Sequence, residues 1–174
     1  MVNTNYSVDA LNILLEKDCL SERYYLLCDC KNTIIEGLKK LGCHYKDEAL
    51  NLTQKEYEEI GLENDEQIRL FCRFLKIYDP NPSKFKEIKT LDIDEDKIES
   101  FRQLYYLPGV KYTRANLYYL AGYKSLNDFV DTTVEQVQHN TAKAIADNQL
   151  SCIVPLAKEI RTHIAVAKAF STSK

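Results

Sequence analysis

Leu107-Pro108-Gly109-Val110-Lys111-Tyr112-Thr113-Arg114-Ala115-Asn116-Leu117 is the stretch whose reading decides the fold, and it runs on into Leu120-Ala121-Gly122-Tyr123-Lys124-Ser125-Leu126-Asn127-Asp128-Phe129. Around it, apolar residues recur at three- and four-residue spacings. Val8, Leu11, Leu14 and Leu15 form one stripe, and Ile34, Ile35, Leu38 and Leu41 another. Ile68, Phe71, Leu75 and Tyr78 form a third, and Ile160, Ile164, Ala167 and Phe170 a fourth. This is the period of amphipathic helices, and no stretch alternates as a half-buried strand would.

Helix boundaries are written locally. Thr53 to Glu56 and Asn64 to Gln67 have capping-box form, and Ser125 to Asp128 and Thr133 to Gln136 are looser versions. Gly42, Gly61 and Gly122 close apolar runs, where a left-handed residue is expected. Asp79-Pro80-Asn81-Pro82-Ser83 cannot continue a helix, because proline lacks an amide hydrogen and disfavours helix in the residue before it. The acidic run from Asp92 to Asp96 reads as the first turn of the following helix, whose positive end it suits.

The two halves also resemble each other at a spacing near eighty residues. Tyr24-Tyr25-Leu26 matches Tyr105-Tyr106-Leu107, the run ending at Gly42 matches that ending at Gly122, and Thr53 matches Thr133. Such order suggests duplication of a small helical unit that cannot bury its apolar face alone. The expected organisation is therefore one unit over residues 1–79, a linker over 80–96 and a second unit over 97–174.

The stretch from Leu107 to Leu117 resembles helix-hairpin-helix proteins, and the segment from Leu120 to Phe129 is similar to one typical of tandem units of that kind. More loosely, most of the chain resembles a bacterial family of paired helix-hairpin-helix units whose function is not established. The resemblance implies an all-α fold: two such units packed into one compact bundle of about ten short helices. It also implies a turn whose amides, with the next helix's N-terminus, hold phosphate without reading bases. Gly109 matches the first glycine of the motif and Ala115 its close-packing alanine. Lys111 stands where a second glycine is usual and Tyr112 where a proline is, so Lys111 must adopt a costly backbone geometry or the turn must change. In the first unit the corresponding turn, Cys28-Asp29-Cys30-Lys31, has no glycine and reads as structural.

Charge favours the second half for an anionic partner. Residues 1–96 carry 13 Lys and Arg against 20 Asp and Glu; residues 97–174 carry 10 against 6. The candidate nucleic-acid contacts are Gly109, Val110, Lys111, Tyr112, Thr113, Arg114 and Lys124. Six of the twelve tyrosines lie between Tyr105 and Tyr123. Most are expected to be half-buried core rings, with Tyr112 and one of Tyr118 or Tyr119 exposed for a base or a protein partner.

Catalytic chemistry has little support. Cys28, Cys30, Cys43 and His44 have the wrong spacing for a structural zinc site. The six cysteines read as free thiols among apolar neighbours. His44, His139 and His163 accompany no nucleophile motif, and no phosphate-binding glycine loop of nucleotide enzymes occurs. Asp128 and Asp131 suit helix caps better than a glycosylase role. No apolar run approaches membrane-spanning length, and Met1 to Asp9 lack the pattern of a secretory signal. The chain thus reads as a cytoplasmic, non-catalytic protein with no cofactor, metal, membrane or small-molecule substrate, whose expected partner is DNA or, failing that, a protein.

Overall fold

The computed structural model describes residues 2–171, so Met1 and residues 172–174 of the ranges above lie outside it. Among the described residues the chain is all-α, with eleven α-helices, three short 3-10 turns and no strand. Residues 2–79 hold α1 (Leu11–Leu14), α2 (Tyr25–Asp29), α3 (Lys31–Lys40), α4 (Lys46–Ala49), α5 (Gln54–Glu59) and α6 (Asp65–Lys76). Then come α7 (Pro82–Ile88), α8 (Glu95–Leu104), α9 (Tyr112–Leu120), α10 (Val134–Asn148) and α11 (Ala157–Ser171).

The local signals explain most boundaries. Thr53 and Glu56 exchange side-chain and backbone hydrogen bonds at the start of α5, and Thr133 and Gln136 do so at the start of α10. Asn64 caps α6 through the Gln67 amide. Gly42, Gly61 and Gly122 all have positive φ. After α3 the amides of Gly42 and Cys43 donate to Lys39 and Leu38. After α9 those of Gly122 and Tyr123 donate to Tyr119 and Tyr118. The two halves thus share one helix ending at a spacing of eighty residues, and the caps at Thr53 and Thr133 keep that spacing.

Upstream of these helices the halves differ. A seven-residue turn separates α8 from α9, whereas α2 and α3 are parted only by Cys30, at φ −99° and ψ 9°. With no glycine there, the chain makes a near-helical kink, and Cys28 and Asp29 belong to α2. The stretch 80–96 is not a plain linker either. Asn81 caps α7 and Pro82 occupies its first position, where a missing amide costs nothing. Phe85 of α7 then packs edge-on against Tyr106, ring centroids 4.8 Å apart.

One core runs through both halves because α11 threads it. Ile160, and all of His163 to Ala167, are buried, as are Ala169 and Phe170, so this helix is covered on nearly every side. Phe170 sits between Tyr6 near the start of the chain and Tyr106 after α8, at 6.5 and 6.4 Å. Lys158 Nζ and Thr162 Oγ1 donate to the carbonyls of Leu20 and Cys19, fastening α11 to the loop after α1. Among the described residues no helix is long and apolar enough to cross a membrane.

Candidate functional site

The turn between α8 and α9 is shaped by one residue. Gly109 takes φ +72°, and the Val110 amide closes on the Leu107 carbonyl at 3.2 Å. Lys111, as the residue before α9, is extended at φ −128° and ψ −160°, which any side chain tolerates. The missing second glycine therefore brings no backbone strain. Lys111 makes no side-chain cap, so the first amides of α9, those of Tyr112, Thr113 and Arg114, meet no capping oxygen from it. Ala115 is fully buried, as its packing role demands.

The turn is clamped from behind by α11. His163 Nε2 lies 2.8 Å from the Pro108 carbonyl, and its Nδ1 lies 2.7 Å from the Tyr118 hydroxyl. A carbonyl only accepts, so Nε2 carries the proton and Nδ1 accepts from Tyr118. Burial pushes the imidazole down to about 4, which keeps it neutral at pH 7 and fit for both roles.

In front of the turn stand two lysines. Lys111 is exposed, and Lys84 reaches from α7 to donate to the Leu107 carbonyl at 2.9 Å. Burial, and then the Lys111 charge, draws the Lys84 ammonium down to about 8. Among the described residues neither lysine has a carboxylate partner within ion-pair distance.

Gly109, Lys111, Tyr112, Thr113 and Arg114 line one open groove of about 630 Å³, closed on the far side by Ser151, Cys152 and Ile153. Two carboxylates also face it. Glu87 accepts from the Tyr105 hydroxyl at 3.4 Å. Glu159 is held by Arg114, whose Nε and second terminal nitrogen lie 2.8 and 3.2 Å from its two oxygens. Arg114 also donates to the Ile153 carbonyl. The structure thus uses Arg114 to tie α9 to α11 and the loop after α10, which leaves its fork occupied.

The other expected contacts separate. Val110 is fully buried, so only its backbone reaches the turn. Lys124 lies past the far end of α9, a helix of nine residues and so about 13 Å long. There its ammonium stands 4.9 Å from the centre of the Tyr119 ring, with Lys97 on the same ring at 5.4 Å. Of the tyrosines, Tyr112 is exposed and Tyr119 half-buried, while Tyr105, Tyr118 and Tyr123 are core. A continuous tyrosine face does not form.

The six cysteines are all free thiols, Cys43 buried and the rest half-buried. No three His, Cys, Asp or Glu residues come together as a metal site among the described residues. Lys84, Glu159 and His163 were not legible as members of this site. Each lies 23 to 55 residues from its partner in the hairpin, with no local motif to announce it. No known protein family, curated protein or solved structure matches the chain.

Proposed function

We propose that this chain is a non-catalytic helix-hairpin-helix protein that grips nucleic acid, DNA first, by its phosphate backbone at the second hairpin. One observation carries the reading: the N-terminus of α9, without a side-chain cap from Lys111, opens behind left-handed Gly109 with Lys111 and Lys84 beside it. Helix-terminal amides and Lys111 in one groove, with Lys84 on the turn's Leu107 carbonyl, suit a phosphate despite Glu87 and Glu159 on the groove wall, and its charge would relieve the crowding of the two ammonium groups. Tyr112 at the rim offers an exposed ring for an unstacked base. The contact is sequence-blind, because nothing in this set reads base edges.

Titrating a labelled duplex across a salt series tests this. The Lys111→Glu variant is expected to bind more weakly, and its salt slope to flatten by roughly 0.9 for each phosphate no longer neutralised. Affinity of the parent is expected to fall as pH rises past about 8, where Lys84 must first take up a proton to bind. Ordinary exposed lysines hold theirs to about 10.4. No binding at low salt, or binding indifferent to Lys111, refutes the proposal.

A second reading is a protein-interaction module. Its specific support is Ile153, 73% exposed, which lines the groove with Tyr112, and Leu156, 70% exposed, three residues further along the chain. Apolar side chains so bare, beside a ring, suit a protein anchor. Self-association or partner binding that is lost in Ile153→Asp while duplex binding is absent would favour it.

A further inference from the structure

Residues 1–96 contain three arginines, Arg23, Arg69 and Arg73, and the fold brings all three to one surface concavity of about 540 Å³. Arg23 comes from the 3-10 turn Glu22–Tyr24, and Arg69 and Arg73 from successive turns of α6. Glu66 and Leu70 complete the lining. The position is paradoxical on charge alone. This half carries 20 carboxylates, yet its ion pairs among the described residues all use lysine: Lys17, Lys31, Lys39 and Lys46. None of the three arginines has a carboxylate within ion-pair distance, not even Glu66, one turn from Arg69. Like charges one turn apart on a helix repel, so the Arg69 and Arg73 spacing works against α6.

We infer that this concavity is a second anion site that takes phosphate oxygens, separate from the hairpin groove and independent of the function proposed for it. Guanidinium forks match phosphate in pairs of parallel hydrogen bonds, a geometry lysine does not supply, and that accounts for arginine at all three places. No aromatic ring lines the concavity, so a base finds no stacking platform and recognition is confined to the phosphate. The exposed position of all three side chains leaves the core untouched by their replacement.

The test is calorimetric titration with pyrophosphate, beside anisotropy with a labelled single-stranded oligonucleotide, both at low ionic strength. The parent, Lys111→Glu, the Arg69→Ala and Arg73→Ala double variant, and Arg23→Glu are compared. Binding is expected in the parent and in Lys111→Glu, and a loss of roughly tenfold per arginine removed. Pyrophosphate binding assigns the site to a free phosphate-bearing ligand; binding of the oligonucleotide alone assigns it to a strand. Binding of neither probe overturns the inference, as does binding of either probe that the arginine variants fail to weaken once Lys111→Glu is added to them. Binding lost only in Lys111→Glu also overturns it, and places the anion at the hairpin instead.

Discussion

The His163→Ala variant is expected to lose about 4 kcal/mol of unfolding free energy, read from urea unfolding. The side chain is fully buried, and it satisfies two groups at once, the Pro108 carbonyl and the Tyr118 hydroxyl. Its removal leaves a cavity and strands both partners away from water. For a chain of this length the midpoint of thermal unfolding should fall by roughly 10 °C. The same residue sets a pH dependence whose sign is fixed by its depressed value of about 4. The unfolded chain binds this proton below about 6.5 and the native one only near 4. The contribution is therefore complete above pH 6.5 and is lost as pH falls through that window, by up to about 3 kcal/mol. Carboxylates titrate in the same range, so the difference between parent and His163→Ala isolates the histidine. A difference that stays flat from pH 7 to pH 4 would remove His163 as the neutral clamp of the turn.

Gly37→Ala presents two opposing effects, and their magnitudes decide the sign. Within a helix, alanine gains about 1 kcal/mol over glycine. Against that, a Cβ at position 37 would lie 2.6 Å from Ile60 Cγ2, 2.7 Å from its Cβ and 2.9 Å from its Cα. Ile60 is buried at the end of α5, and one of the atoms struck is backbone, so α3 and α5 must move apart. Overpacking of this kind costs roughly 1–3 kcal/mol, and contact with backbone puts it at the upper end. A net loss of about 2 kcal/mol in chemical unfolding is expected. Gly42→Ala, whose Cβ would meet nothing within 4 Å, suffers only from its positive φ of 80° and should lose less. A stabilised Gly37→Ala would show that the two helices have room to spare.

What could be read from the chain was what lies within a few residues of its cause. The boxes at Thr53 and Thr133 span three residues, and the left-handed endings at Gly42 and Gly122 need only a glycine after an apolar run. The all-α architecture and the eighty-residue spacing of matching features follow from such signals. The turn at Gly109 was legible for the same reason, but the consequence of Lys111 was not. Relieving it required only an extended residue before α9, a choice the sequence leaves open. Around Pro82 the helix does break, with α6 ending at Lys76, but a new helix starts at Pro82 itself, because proline fits a helix's first position, and position alone tells that from a break. Arg114 misled because its carboxylate, Glu159, lies 45 residues on, across the bundle. A basic residue at a helix start looks the same whether it faces a phosphate or another helix.

The most direct measurement is a nuclear magnetic resonance titration of the labelled protein with a short duplex at low salt, followed at the backbone amides. Shifts are expected to centre on Gly109 and on Lys111 to Thr113, with the amides of Cys28 to Asn32 unmoved, since that stretch has a helical kink where the α8–α9 connection has a turn. Shifts centred instead on Ile153 and Leu156, or no shift anywhere, would contradict the proposed contact.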